Sequence, residues 1–212
     1  MGRIPRSEED INNKKTEILE KAIEIIESDG YEGFSIRKLG PAIGVAPKTI
    51  YNYFKNKDEI YLHVLTRGFE LLYDDLHQCS NHIDDPYEKL VAMTEAYVEF
   101  GFKKSNYYDI MLTLYVPKAN DYIGTPQESL ALNELQTALS CADLFIKTIE
   151  RIDVGNKRTN LNESQIRFTQ LLIGMHGIVA LKNNTILDYL HENPDSIIDH
   201  LIKGVLKPYK PH

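Results

Sequence analysis

A chain of 212 residues with 42% hydrophobic content and a formal net charge of -7 can bury a sizeable core and is globular rather than disordered. Two cysteines, Cys79 and Cys141, cannot build a disulfide framework, and no apolar run approaches the length of a membrane span. The opening MGRIPRSEEDINNKK lacks the apolar stretch of an export signal, so a reduced, cytoplasmic protein with no membrane partner is expected.

Taken in chain order, Arg3 and Arg6 come first, placed for a minor-groove arm, although a start of this kind is more often disordered. A helix follows over Ile18–Ser28, closed by the turn Gly30-Tyr31-Glu32-Gly33-Phe34. Ser35 offers an N-cap to a helix opening at Ile36, with Ile36, Leu39 and Ile43 near one inward face. Gly44 supplies a turn residue, Val45 returns to the core, and Pro47 suits the first position of another helix. In that helix Ile50 and Phe54 face inward, while Lys48, Thr49, Tyr51 and Asn52 form a stripe of cation, hydroxyl, phenol and amide. From Arg37 to Lys57 there is no Asp or Glu, yet Arg37, Lys38, Lys48, Lys55 and Lys57 are all basic. Cations and hydroxyls suit phosphate oxygens, Asn suits an adenine edge, and Tyr can lie against a thymine methyl. Helix, glycine turn and helix with such a stripe is the pattern of a DNA-reading helix-turn-helix.

The stretch from about Lys14 to Leu65 resembles the DNA-binding domain of the TetR (tetracycline repressor-like) transcriptional regulators. The matching features are Gly30-Tyr31-Glu32-Gly33-Phe34-Ser35, Arg37-Lys38-Leu39, Ile43-Gly44-Val45, Thr49-Ile50-Tyr51-x-Tyr53-Phe54 and Lys55-Asn56-Lys57-Asp58-Glu59-Ile60. The resemblance implies that Thr49, Tyr53 and Lys57 hold phosphates and that Arg37, Lys48, Tyr51 and Asn52 lie where base edges are read. Ser35, Lys38 and Pro47 complete the expected DNA-facing set. Two positions depart from the family. Gly40-Pro41 replaces a small helix former and a polar residue, and a proline inside a helix costs about 3 kcal/mol, which predicts an early end or a kink. Ala46 replaces a capping serine and forfeits about 1 kcal/mol.

Beyond residue 57 every pattern is helical. Asn56-Lys57-Asp58-Glu59 reads as a capping box opening a long helix with Ile60, Val64, Leu65, Phe69, Leu72 and Leu76 inside. Asp85-Pro86 opens another, with Leu90, Val91, Thr94, Tyr97 and Val98 inside. A short helix spans about Tyr107–Tyr115. Thr125-Pro126-Gln127-Glu128 opens one whose inner face is read as Leu135, Leu139, Ala142, Ile146 and Ile149. Asn162-Glu163-Ser164-Gln165 opens the next, running to about Lys182, and Asn193-Pro194 the last. Loops are expected near 80–85, 116–125, 153–162 and 184–193. The fold class is all-α, with a three-helix helix-turn-helix domain over 1–57 and a larger helical effector-binding and dimerisation domain over 58–212.

A single recognition helix reads half a site, so a homodimer on a pseudo-palindromic operator of double-stranded DNA is expected. Gly174, Gly177 and Ile178, with Ile198, Leu201 and Ile202, form the candidate dimer surface, because helix glycines suit close approach of backbones. An unidentified small-molecule effector is the expected second partner. Its candidate pocket is Tyr97, Phe100, Tyr107, Tyr108, Met111, Tyr115 and His176, although any one of these alone reads as core packing. No Gly-rich phosphate loop, HExxH, CxxC or nucleophile elbow is present, so no catalytic role, metal or cofactor is expected. The alternative is a helix-turn-helix protein acting mainly through a protein partner, as an activator or cell-division-type factor.

Overall fold

The computed structural model describes residues 7–155 and 161–211. Arg3 and Arg6 lie outside them, as does part of the loop expected near 153–162. Among the described residues every regular element is helical and no strand forms.

The chain divides into two compact units, residues 1–69 with 106–136, and residues 70–105 with 137–212. In the first, α1 spans Glu8–Gly33, started by a Ser7–Asp10 capping box that precedes the expected Ile18 by ten residues. Its buried face is Ile18, Ala22, Ile23 and Ile26. Gly30 breaks the helix with φ 72° and ψ 170°, backbone angles that only glycine takes without strain.

Helix α2 (Ile36–Ala42) starts on Ser35, whose side chain accepts from the Lys38 amide, and continues through Pro41 to Ala42. The expected early end does not occur. Pro41 stands in the last turn, so only one intrahelical donor is forfeited. Helix α3 (Pro47–Ile50) is shorter than the sequence implied, with Ala46 providing no side-chain cap, as expected. A turn over 51–53 continues it, and the Phe54 amide still donates to Ile50 carbonyl oxygen at 3.1 Å. Gly40 is buried where α2 meets α3. A Cβ there would stand 2.9 Å from both the Pro47 nitrogen and the Val45 carbonyl oxygen. The glycine that departs from the family pattern is what lets these two backbones touch.

Helix α4 (Lys57–Ser80) opens as read, with the Glu59 amide donating to Asn56 Oδ1 at 2.8 Å and the Glu59 carboxylate accepting from the Lys55 amide. All six of its expected core residues are buried. Completing the first unit are α6 (Ser105–Tyr108), a π-helical turn over Asp109–Thr113 that packs on α1, and a 3-10 turn over Ala119–Tyr122 inside the stretch expected to be loop.

The second unit holds α5 (Pro86–Lys103), α8 (Leu161–Asn183), α9 (Ile186–Leu190) and α10 (Ile198–Leu206). Asp85 caps α5 by accepting from the Tyr87 and Glu88 amides. A 3-10 turn over Pro194–Ile197 precedes α10, and α9 occupies a stretch expected to be loop. Helix α8 packs on α5 and α10. Arg167 clamps the C-terminal end: its guanidinium donates to Pro208 carbonyl oxygen at 3.2 Å and lies over the Tyr209 ring, whose hydroxyl donates to Arg167 carbonyl oxygen at 2.6 Å. Helix α7 (Glu128–Gly155) is turned from its expected face. Leu135 and Leu139 are exposed, Ala142 and Ile146 half-buried, and Ala131, Glu134, Cys141, Phe145, Thr148, Ile149 and Ile152 are buried. Leucine spacing alone misread it because a polar Glu and Thr sit on the inner face.

Gly40→Ala should destabilise the protein by about 1–3 kcal/mol in urea unfolding, because the added methyl meets backbone atoms that have no rotamer with which to yield.

Candidate nucleic-acid interface

The reading face is built around buried Ile36, Leu39, Ile50 and Phe54, which hold α2 and α3 from within. With those inside, helical geometry sends Arg37, Lys38, Lys48, Tyr51 and Asn52 to the surface, and all five are exposed. Tyr51 shows 58% of its surface. Ser35, Pro47, Thr49, Tyr53 and Lys57 are half-buried at the edges of the same face. Ser35 and Lys38 have partners within the chain. Ser35 Oγ caps α2, and Lys38 Nζ pairs with Asp29 Oδ2 at 2.7 Å, holding that carboxyl below its ordinary pKa. The Lys38 pair is exposed, so a phosphate can displace its carboxylate at little cost.

Lys57 has an unexpected neighbour. Its ammonium lies 4.3 Å from the centroid of the Tyr31 ring, and Tyr31 donates its hydroxyl to the Asp58 carboxylate. Tyr31 packs edge to face on Tyr61, centroids 4.8 Å apart, and Tyr61 donates to Pro117 carbonyl oxygen at 3.1 Å. Burial raises the pKa of both phenols and pushes Tyr122 up to about 12. The Tyr122 hydroxyl, on a residue only 5% exposed, lies beside Tyr31 without a hydrogen bond of acceptable geometry. Glu134, 7% exposed, borders this cluster, and burial raises its carboxyl above the usual range against a smaller opposing effect of Lys118. Sequence reasoning read Tyr31 only as part of the turn over 30–34, and gave Tyr61 and Glu134 no role because each sits at a position that reads as ordinary helix.

The expected effector residues divide between the two units. Tyr107, Tyr108, Met111 and Tyr115 belong to the first and Tyr97, Phe100 and His176 to the second. Tyr108, Met111, Tyr97 and Phe100 are buried, Tyr107 and His176 half-buried, and Tyr115, at 102%, fully exposed. Tyr97 packs edge to face on Phe145. Phe100 lines a cavity of about 530 Å³ in the second unit with Asp75, Gln78, Cys79, Glu99 and Lys103. Tyr115 lines one of about 380 Å³ in the first unit with Tyr31, Val116 and Lys118. Both volumes suit a small molecule.

Of the expected dimer residues, Gly174 serves an internal contact: a Cβ there would stand 2.6 Å from Val205 Cγ1, so the glycine lets α8 approach α10 within one chain. Ile178 and Ile202 are buried, and Ile198 and Leu201 half-buried. Gly177 has open space beyond its Cα, and Ile166, Ile173 and Leu181 on the same helix are exposed.

Residues 18–64 match the family described as bacterial regulatory proteins, tetR family. The chain is 27% identical over 149 residues to the HTH-type transcriptional activator FasR of Mycolicibacterium smegmatis, a match covering 70% of this chain and 62% of that protein, so it spans less than two thirds of that relative's length. A TetR family transcription regulator from Marinobacter aquaeolei VT8 shares the fold with a TM-score of 0.71 at 16% identity, covering 95% of this chain and 97% of that one. The transcriptional regulator FadR from Bacillus subtilis, solved in complex with stearoyl-CoA, does so with a TM-score of 0.67 at 14% identity, covering 90% and 97%. Among the described residues no helix is long and apolar enough to cross a membrane.

Glu134 provides a pH test. Its raised folded pKa means the folded state favours the protonated carboxyl, so stability is complete below the unfolded value near 4.5 and falls as pH rises through the folded value. Glu134→Gln should therefore melt higher than the parent at pH 7, by about 2–4 °C per kcal/mol recovered, and the gap should close near pH 4 in thermal denaturation.

Proposed function

We propose that this chain, whose residues 18–64 match the tetR family of bacterial regulatory proteins, is a dimeric, cytoplasmic, ligand-responsive repressor of a pseudo-palindromic operator. The observation that carries this reading is the exposed, acid-free face of Arg37, Lys48, Tyr51 and Asn52 on a chain that is otherwise acidic. Residues 1–60 hold ten basic against eleven acidic residues and the remainder fourteen against twenty, so the field favours approach of DNA to the reading face. Residues 1–57 act as the DNA-binding part and 58–212 as the effector-binding and dimerisation part.

Positioning and reading divide within the face. Thr49, Tyr53 and Lys57 hold phosphates, while Arg37, Lys48, Tyr51 and Asn52 meet base edges. Dimerisation uses α8, where Ile166, Ile173, Gly177 and Leu181 leave an apolar stripe for a second copy, with Leu201 and Ile198 of α10 beside it. The effector acts by preferring the state that does not bind DNA; affinity alone shifts nothing. Stearoyl-CoA, the ligand of the B. subtilis FadR structure, is the first effector to test. A second reading, as an activator, draws support from the name of the FasR relative. The reading head is the same in both, and the position of the operator relative to the promoter separates them.

Anisotropy titration against DNA from upstream of the protein's own gene, with shuffled DNA alongside, tests the proposal. Arg37→Ala and Tyr51→Ala should each cost about 1–3 kcal/mol on the operator and little on shuffled DNA. Equal binding of the parent to both DNAs, at every salt concentration, would sink the reading. In the same assay stearoyl-CoA should release the operator; retention under saturating ligand rejects it as the effector.

A further inference from the structure

Lys57 is the first residue of α4, where the helix dipole disfavours a cation, and its long stem leaves an unheld ammonium free to wander. Its place therefore needs a cause. No ion pair joins it to an acid among the described residues. Instead the ammonium rests over the Tyr31 ring, and the adjacent Asp58 carboxylate, its nearest competitor in the sequence, accepts from the Tyr31 hydroxyl. Tyr31 itself has little freedom. It follows the break at Gly30, is 8% exposed, and packs edge to face on Tyr61. A ring face attracts a cation without neutralising it, whereas a carboxylate would cancel the charge that a phosphate must meet.

We propose that Tyr31 is a positioning residue for DNA binding: its ring confines the Lys57 ammonium where a phosphate arrives, and its hydroxyl keeps the Asp58 carboxylate occupied. The inference rests on the reading of Lys57 as a phosphate contact. Tyr31 touches no DNA in this scheme; it acts through the lysine.

The test is the slope of log affinity against log salt, which counts cations released from DNA and does not move when a variant merely loses stability. Lys57→Ala should lower the slope by about 0.9, the value of one phosphate contact. Tyr31→Leu should lower it equally, the double variant Tyr31→Leu/Lys57→Ala no further, and Tyr31→Phe, which keeps the ring but frees the Asp58 carboxylate, should recover only part of the slope lost in Tyr31→Leu. If Lys57→Ala lowers the slope while Tyr31→Leu leaves it at the parent value, the inference falls and the DNA-binding reading stands. If the parent shows no salt-dependent binding, both fall. Should Tyr31→Leu fail to fold, NMR of the full chain with 13C-dimethylated lysines decides. The Lys57 resonance, assigned by its loss in Lys57→Arg, should be shifted upfield by the ring in the free protein and in the DNA complex. An unshifted resonance in the complex overturns the proposal.

Discussion

At Gly40 the two helices of the reading head meet backbone to backbone, and the rest of the DNA-facing geometry follows from that approach. The Val45 carbonyl and the Pro47 nitrogen occupy the space that any side chain would need. The approach of α2 to the start of α3 at this point is thereby limited by main-chain contact. Ile36, Leu39, Ile50 and Phe54 then fill the interior behind it, and burying them is what turns Arg37, Lys48, Tyr51 and Asn52 outward. Pro41 becomes intelligible in this setting. It sits in the last turn of a short helix, where the loss of one donor is tolerable, and it is followed directly by the turn that carries the chain to α3.

Electrostatics and aromatic packing share the next layer. The reading face has no acidic side chain of its own between Arg37 and Lys57, and the acids that approach it are each engaged. Asp29 pairs with Lys38, Glu59 accepts from the Lys55 amide, and Asp58 accepts from Tyr31. Their charges are held at fixed places at the rim rather than left to compete for the cations. The tyrosine-rich composition has a structural use here, since a phenol packs as apolar area while its hydroxyl binds a carboxylate or a carbonyl. Tyr31 and Tyr61 do both. The second unit uses a related device at its far end, where Arg167 and Tyr209 exchange a cation–π contact and a hydrogen bond to secure the C-terminal turn.

The all-α class, the helix-turn-helix and most helix starts were legible because they depend on local chemistry. Ser35, Asn56 and Asp85 cap where they were read to cap, and the apolar spacing of α4 identified six of its buried residues, though not Tyr61 or Leu62. Helix α7 was misread because Leu135 and Leu139 carry the stronger apolar pattern, whereas the buried side takes Glu134 and Thr148 among its members. Helix α9 and the 3-10 turn over Ala119–Tyr122 were read as loops since each is too short to show a period. Gly174 carried a dimer signal in the sequence, yet its first use is to admit Val205 of its own chain. A glycine records that something comes close; it does not record what.

By itself, the sequence determined which residues of the helix-turn-helix are exposed, because a helix of known period with a known buried side has a known outer side, and because an acid-free window in an acidic chain is visible without coordinates. Tertiary structure alone decided how those residues are held. Gly40 against Pro47, Tyr31 beneath Lys57 and the turned face of α7 join positions that no local spacing relates. Their partners are chosen by the packing of whole helices, and that packing minimises buried polar cost and steric overlap over the full core rather than along the chain.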